Sequence, residues 1–432
     1  MTLSFLRPPP TDMLRNFRRL YLDIVGYGIL SGSILAFLSV YAAHLGATSF
    51  EIAMLTAGPA VVNLLVSLPA GRWLEKEPIV QATYLTSLWS RVPYILLALG
   101  PLLLGLPVQM ALIIAVSLLI SIPGTALAIG FNAMFAEVVP PEWRGRVVGW
   151  RNVLLAISVT LTSLACGLLL DLIRFPLNYQ IIFALGTFGA LLSSAALGRI
   201  WNSATAPPPS ARARPVGDLA RPGSASFVDA IRQAAGLRWL TRSRGEPLLR
   251  LDLLRGRFGL FLFSYLLFYI FQYVPIPLFP LFWVDGLHLS DGVISLGNAL
   301  FYTSMTVASI GLAGASRRFG HRAVLVGGAM LYALYPLLNG LARNAFLFWV
   351  ASLAGGAVWA LVNSGLVNRL MELVPEKDRP AHMALHNLAL NLGILVGSLA
   401  GPLLAAVAGL GRALLLSAGL RLLAGLFLLV WG

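Results

Sequence analysis

Two stretches decide the fold that this sequence predicts: Glu137-Val-Val-Pro-Pro-Glu-Trp-Arg144 and, 235 positions later, Glu372-Leu-Val-Pro-Glu-Lys-Asp-Arg379. At the same offset, Ser163-Leu-Ala recurs as Ser398-Leu-Ala. In both stretches a proline follows an apolar run and ends its helix, and a second apolar run begins a few residues later. A match at a fixed offset predicts that the chain contains two copies of one helical unit.

The composition shows in which solvent these units fold. Of the 432 residues, 58% are hydrophobic and 11% are charged, and the mean hydropathy is +0.82. A soluble domain is about a quarter charged, so most of this surface must face lipid. Twelve apolar runs are long enough to cross a bilayer, near residues 20–43, 50–70, 79–104, 107–134, 147–173, 179–198, 258–283, 292–315, 322–341, 345–368, 383–408 and 412–431.

The runs fall into two groups of six, so we predict an all-α integral membrane protein with two six-helix bundles. The bundles cover residues 1–200 and 257–432, and residues 201–256 form a cytoplasmic linker rich in Pro, Ser and Arg. An even number of spans in each copy makes the copies parallel, with an axis along the membrane normal. Residues 227–240 have one apolar helical face, which predicts a short helix lying either on the membrane or against cytoplasmic loops.

The basic residues predict the orientation. The N-terminal tail and the short loops on its side carry fifteen of them, Arg151 in the 4–5 loop among these, against three in the loops on the other side. This bias places both termini in the cytoplasm of a multi-pass protein of the cell membrane. The formal net charge of +14 therefore indicates an anionic lipid surface as the partner of these segments and not nucleic acid.

The repeated loops also contain a spaced charge pair. In each copy a glutamate (Glu137, Glu372) precedes the proline break and an arginine (Arg144, Arg379) follows it. The two charges can pair across the loop and clamp two helix ends. Such a pair either holds the loop in one fixed conformation or forms part of a gate that makes and breaks contacts.

These residues resemble the major facilitator superfamily of secondary transporters, over essentially the whole chain. The 2–3 loop, Gly71-Arg-Trp-Leu-Glu75-Lys76, is similar to the first half of that family's loop motif, and the 8–9 loop, Arg318-Phe-Gly-His-Arg322, is similar to its second half. The resemblance implies that Gly71 allows close helix approach and that Glu75 and Lys76 contact the opposite bundle when the cytoplasmic side is closed. Arg317 stands where the second copy would have an acid, which puts the equivalent contact there in doubt.

The resemblance also implies that spans 1, 4, 7 and 10 line a central cavity. Aromatic, amide and hydroxyl groups in these spans are the candidate substrate contacts, and they suit an amphipathic or modestly polar organic solute. The alternative is that they pack helices or mark interfaces. The candidates are Tyr27 and Ser31 in span 1, Tyr269, Gln272 and Tyr273 in span 7, and Trp359 and Asn363 in span 10.

Three of the charged residues within the spans are candidates for a role inside the membrane. Arg91 lies roughly 18 Å beyond the start of span 3, near mid-bilayer, where it would hold either an anionic substrate or a partner carboxylate. Asp23 lies near the start of span 1, so its carboxylate is expected to reach the interface, although it is also the candidate for proton coupling in the first half. Arg421 in the last span is expected to be peripheral.

Other chemistries are not indicated. Lys76 and Lys377 are followed by Glu77 and Asp378, so neither belongs to a phosphate-binding loop. His382 and His386 share a helical face without a third metal ligand. We therefore expect no cofactor, no metal site and no enzyme activity. The predicted function is secondary transport of a small organic solute by alternating access, with protons as a candidate coupling ion and a monomer as the expected state. The alternative is a non-transporting membrane sensor or assembly protein on the same fold.

Overall fold

The computed structural model describes residues 11–200, 251–374 and 379–432. Over these residues the chain forms twelve membrane helices in two groups of six, as predicted. The predicted surface helix at 227–240 and most of the linker lie outside the described residues. The central part of the 10–11 loop, 375–378, lies outside them as well.

The first bundle contains helices α1–α6. Helix α1 comprises Thr11–Leu30, a π-helical stretch Ser31–Leu35, and Ala36–His44. The others are α2 Ser49–Leu74, α3 in two segments Ile79–Arg91 and Tyr94–Leu103, α4 Leu106–Val138, α5 Pro141–Leu172 and α6 Leu177–Leu197.

The second bundle contains helices α7–α12, after a 3-10 turn at Leu251–Leu254. Helix α7 comprises Arg257–Tyr273, Leu278–Leu281 and a π-helical stretch Phe282–Gly286. The others are α8 Asp291–Phe319, α9 in two segments His321–Leu331 and Leu334–Leu341, α10 Ala345–Leu373, α11 Arg379–Ala408 and α12 Leu410–Trp431.

Local sequence signals explain where several helices begin and break. Thr48 and Glu51 form a reciprocal capping box at the start of α2, which satisfies backbone N–H groups that have no partner in the first turn. Pro93 divides α3, and Pro275 and Pro277 divide α7, because proline cannot donate the helical hydrogen bond. Eleven of the twelve helices are long and apolar enough to cross a membrane; the twelfth, α3, is divided into two shorter segments.

Glycines allow close contact between helices α11 and α7 inside the second bundle. Gly393, Gly397 and Gly401 form one face of α11, which packs on α7. A Cβ atom at Gly397 would lie 2.3 Å from the Ile270 carbonyl oxygen, and one at Gly401 would lie 2.2 Å from that of Val274. Only residues without a side chain allow the two backbones to approach this closely, and so small residues drive helix packing in membranes.

Helix α5 corrects one prediction. Span 5 was expected to begin near residue 147, and Arg151 was counted among the charges of the 4–5 loop. The helix in fact begins at Pro141, where proline is well accommodated because a first-turn N–H needs no helical partner. Arg151 is thereby carried into the bundle, where it is buried, and it does not contribute to the charge of the loop.

Candidate functional site between the two bundles

The two bundles meet along two helix pairs, α5 with α8 and α2 with α11. Consecutive helices alternate in direction, so the turns after odd-numbered helices lie at one end of the molecule, which we call the distal end. The start of α1 and the turns after even-numbered helices lie at the other, proximal end. At the distal end each bundle also reaches into its partner: Val40 of α1 packs in the core of the second bundle, and Leu281 of α7 in that of the first.

Asp291 is the centre of the distal contacts. It opens α8 and is 9% exposed. Its Oδ1 atom accepts a hydrogen bond from the Tyr179 hydroxyl at 2.8 Å and lies 3.0 Å from Nε2 of His44. Tyr179 and His44 belong to the first bundle and Asp291 to the second. One carboxylate therefore joins the two bundles to each other.

A second carboxylate makes the reciprocal contact. Asp171, near the end of α5, accepts hydrogen bonds from the backbone N–H of Gly292 at 3.0 Å and from the Ser290 hydroxyl at 3.3 Å. One turn further into α8, Ser295 donates to the Ser163 carbonyl. Gly292 is needed at this position because a Cβ atom there would lie 2.0 Å from Asp171 Oδ2. These contacts close the distal end.

Polar side chains continue across the interface to mid-depth. Thr56 donates to Ser398 at 2.8 Å, and Nδ2 of Asn63 donates to Oδ1 of Asn391 at 3.2 Å. Asn63 in turn accepts a hydrogen bond from Thr125 of α4. Amides and hydroxyls in an apolar region need hydrogen-bond partners. The polar side chains of α2 find theirs in α4 and, across the interface, in α11.

The predicted gate residues of the 2–3 loop lie at the proximal end. Gly71 is buried, whereas Glu75 and Lys76 are exposed, and Trp73 beside them is 40% exposed. Partial burial raises the pKa of the Glu75 carboxyl above its ordinary value, and the neighbouring Arg72 opposes this shift. The exposed side chains at this end contrast with the hydrogen-bonded distal end.

The two copies of the Glu-x6-Arg pair have different surroundings. Arg144 donates from Nε to the Val139 carbonyl at 3.0 Å and from Nη2 to the Ala136 carbonyl at 2.6 Å, so it binds the last carbonyls of α4 from the first turn of α5. Glu137 is exposed in that last turn. In the second copy, Glu372 pairs with Arg369 at 3.0 Å and lies 3.8 Å from His321. Arg379 begins α11, and its side chain lies outside the described residues.

Asp23 and Arg91 lie together in the core of the first bundle. Asp23 is 2% exposed, so the expectation that it reaches the interface is wrong. Both terminal nitrogens of Arg151 donate to its Oδ2 at 3.0 Å, and Arg91 lies 3.8 Å from Oδ1. Ser193 also donates to Asp23. Burial is possible because these groups from α3, α5 and α6 surround the α1 carboxylate.

Arg421 occupies the corresponding depth of the second bundle. It was expected to be peripheral, and its exposure of 0% shows that this was wrong. It donates to the Gln272 carbonyl at 2.8 Å and to the Tyr332 carbonyl at 3.3 Å, and its guanidinium lies 4.3 Å from the Tyr332 ring centre. The break in α7 frees the Gln272 carbonyl, because Ile276 bonds to Tyr273 instead.

The candidate substrate contacts divide into exposed and buried groups. Tyr27 is 38% exposed, while Tyr269 and Gln272 are 9% and 4% exposed. Asn363 is exposed in the middle of α10. An amide that faced lipid at this depth would lack hydrogen-bond partners. Ser31 opens the π-helical stretch of α1. Tyr273 stacks on Tyr269 at 6.2 Å, and Trp359 packs against Tyr332 at 5.3 Å.

Several residues of the interface were missed from the sequence. His44, Asp171, Tyr179 and Asp291 fall near the ends of spans, where polar residues are ordinary and give no separate signal. Their importance follows only from the docking of one bundle on the other. Of the paired histidines, His382 packs on Phe258 and His386 on Tyr265, with ring centres 4.4 Å and 4.2 Å apart.

Two like six-helix bundles that are hydrogen-bonded to each other from one end to mid-depth have the architecture of a membrane carrier. The chain belongs to the Major Facilitator Superfamily, whose family model matches residues 24–275 and 261–432. It is therefore a multi-pass membrane protein and a secondary transporter, and the alternative of a non-transporting sensor is not favoured.

Solved structures agree in fold across nearly the entire chain. The nucleoside transporter NupG superposes with a TM-score of 0.64 at 13% identity, covering 98% of this chain and 99% of its own. A bacterial homologue of the iron transporter ferroportin, in an inward-facing state, gives 0.69 at 15% identity and covers 97% and 98%. The D-xylose-proton symporter gives 0.66 at 15% identity and covers 97% of both chains. At such identities the likeness concerns the fold alone.

One curated relative matches in sequence over a shorter stretch. Multidrug resistance protein 2 of Bacillus subtilis (strain 168) is 25% identical over 130 residues, which is 30% of this chain and 32% of that protein. The match thus spans about a third of that protein's length.

Proposed function

We propose that this protein moves a small amphipathic or modestly polar organic solute across a bacterial cell membrane by alternating access. The bundles at residues 1–200 and 257–432 rock about a site near the midplane, and the linker at 201–256 joins them on the cytoplasmic side. The proposal rests on a difference between the two ends of the interface. Hydrogen bonds join the bundles from the distal end to mid-depth, whereas the loop residues at the proximal end are exposed. Both termini are cytoplasmic in this proposal, so the conformation is inward-facing.

The proposed site uses the polar groups that face the path from α1, α7 and α10. Tyr27 and Asn363 supply exposed hydrogen-bonding groups, while Tyr273 and Trp359 supply ring surface. Such a mixture of aromatic surface with a few hydrogen-bonding groups suits a solute that is partly apolar. Tyr269 and Gln272 are buried behind this surface, and Ser31 lies at the start of the π-helical stretch.

The proposed gate acts at both ends in turn. Opening the distal end separates Asp291 from His44 and Tyr179. Closing the proximal end brings the 2–3 loop, with Glu75 and Lys76, onto the second bundle, while Arg144, Glu372 and Arg379 hold the neighbouring helix ends. Carriers with parallel repeats work by such rigid-body rocking around a fixed site.

Protons are the coupling ion that we propose to test first. Asp23 is a carboxylate buried deep in a span, and intramembrane acids are functional candidates by default. Asp23 also lies between Arg151 and Arg91. This position indicates the alternative, that its carboxylate is a structural counter-ion for the two arginines. A pH-jump experiment on proteoliposomes separates the two: an Asp23→Asn variant that keeps proton-driven uptake would exclude Asp23 as the coupling group.

The transport proposal is tested by flux. Purified protein in proteoliposomes is assayed over a panel that includes nucleosides, pentoses and amphipathic drugs, the solute classes that the names of the similar proteins suggest. Saturable uptake of one class supports the proposal, with a monomer as the expected unit and no chemical change of the solute. Binding of a solute without flux would instead support the sensor.

A further inference from the structure

A basic cavity lies outside the transport path, at the proximal end of the first bundle. Its volume is about 430 Å³, and it opens between the start of α1 and the end of α6. The lining combines four arginines with two leucines: Leu14, Arg15, Arg18, Arg19, Leu22 and Arg199. None of these residues takes part in the interface between the bundles.

The spacing of the lining residues shows that the cavity follows one helical face. Arg15, Arg18, Arg19 and Leu22 stand at positions i, i+3, i+4 and i+7 of α1, which place side chains on the same side of a helix. Arg199 follows the last turn of α6, a helix that packs closely on α1. Arg15, Arg18 and Arg199 are exposed, so an external ligand can reach them.

The positive charge of the cavity is not balanced within the described residues. No salt bridge there involves any of the four arginines, and Arg15 and Arg199 both act on Arg19 as repelling charges. Arg19 donates to the Asn16 side-chain oxygen at 3.5 Å. The adjoining residues 201–250 contain eight arginines and three acids, so this part of the sequence adds more positive than negative charge. An external anion would relieve this repulsion.

The order of charge and apolar surface along α1 indicates what kind of anion fits. Leu22 lies one turn deeper than Arg18 in the membrane, about 6 Å at 1.5 Å per residue. Guanidinium groups bind phosphate with two parallel hydrogen bonds, and an acyl chain would continue onto the leucines. A free phosphate would use the arginines and leave the apolar surface uncovered.

We propose that this cavity binds the headgroup of an anionic phospholipid. The lining residues of α1 lie at the beginning of the candidate span Met13–His44, at the proximal end of the first bundle, and the assignment to the cytoplasmic leaflet rests on the orientation proposed above. Basic clusters just outside a membrane helix bind anionic lipids with about 1 kcal/mol for each residue, which is about fivefold in affinity.

The test compares lipids and variants in binding, without any transport measurement. The full chain is titrated with short-chain phosphatidylglycerol or phosphatidylcholine in detergent, and the thermal unfolding midpoint reports binding. Phosphatidylglycerol should raise the midpoint, and phosphatidylcholine should not. Arg15→Gln with Arg18→Gln should weaken the phosphatidylglycerol response about 25-fold in concentration. Arg317→Gln with Arg318→Gln, which removes the same charge at the same end of the molecule, should not.

Three outcomes would overturn the proposal. The first is an equal response to both lipids, and the second is an equal loss in the two double variants. The third is a full response to inorganic phosphate or glycerol 1-phosphate, which would identify a site for a free anion. If the glutamine variant does not fold, native mass spectrometry of the wild type decides, with preferential retention of phosphatidylglycerol supporting the site and equal retention overturning it. A negative flux experiment leaves this result unaffected.

Discussion

The guanidinium of Arg421 in α12 donates a hydrogen bond to the backbone carbonyl of Gln272 in α7, at 2.8 Å. A carbonyl inside an unbroken helix would be occupied, but α7 is divided by Pro275 and Pro277. The same guanidinium reaches the Tyr332 carbonyl of α9 at 3.3 Å, which loses its usual i+4 donor because residue 336 is a proline and accepts from the Tyr335 N–H at 3.3 Å instead. One arginine thus satisfies backbone groups of two divided helices inside the membrane.

Replacing this arginine is the first prediction. Arg421→Leu should lower the free energy of unfolding by about 2 kcal/mol, because the buried Gln272 carbonyl loses its donor. Arg412→Leu, at the exposed start of the same helix, should change it by less than about 0.5 kcal/mol. Unfolding midpoints in detergent, followed by tryptophan fluorescence, measure both. Equal midpoints for the two variants would show that Arg421 is dispensable to the fold.

The second prediction concerns the Asp23 cluster. Asp23→Asn leaves Arg151 and Arg91 buried without a counter-charge and should cost about 3 kcal/mol of stability. Adding Arg151→Met should recover part of that loss, since it removes one of the uncompensated charges. Glu142→Gln, an exposed carboxylate at the start of α5, is the control and should have little effect. Strictly additive losses in the double variant would contradict an interaction between the two residues.

The third prediction tests whether close packing at Gly292 holds the distal end shut. Gly292→Ala should favour the distal-open state, because the added methyl group would lie 2.0 Å from Asp171 Oδ2. Gly311→Ala is the matched control on the same helix, since a Cβ atom there meets nothing within 4 Å. Maleimide labelling of Ser295→Cys, in a background where Cys166 is replaced by Ala, measures the opening.

Labelling should be faster in the Gly292→Ala protein than in the Gly311→Ala protein. The loss of the exposed Asp171 hydrogen bonds sets the scale of the effect, about 0.5–1.5 kcal/mol in the equilibrium between closed and open states. Identical labelling rates would mean that this contact does not limit opening.

The fourth prediction addresses the proposed substrate site. Asn363→Ala should raise the KM for the transported solute about fivefold, the effect of one lost hydrogen bond of about 1 kcal/mol, without changing the unfolding midpoint. Leu353→Ala, an exposed apolar position on the same helix, is the control. Tyr27→Phe should act in the same direction as Asn363→Ala. An unchanged KM in both variants would remove these two side chains from the site.

Particular residues show how far the sequence could predict this protein. The repeat around Arg144 and Arg379 and the lengths of the apolar runs were sufficient for two bundles of six helices. Asp23 and Arg151 could not be located in depth, because a shift of one helix boundary moves a charge between loop and core. The start of α5 at Pro141 moved Arg151 by that amount. Arg421 was placed in the correct span, but its burial depends on which helices pack around it.

The sequence by itself determined the solvent, the number of helices and the duplication, since apolar length and repeated motifs are local properties that need no neighbour. Only the tertiary structure decided which charges neutralise each other, which carbonyls Arg421 binds, and that Asp291 joins the bundles through His44 and Tyr179. Those relations depend on distances of a few ångströms between helices far apart in the chain, and no periodicity along a single helix records them.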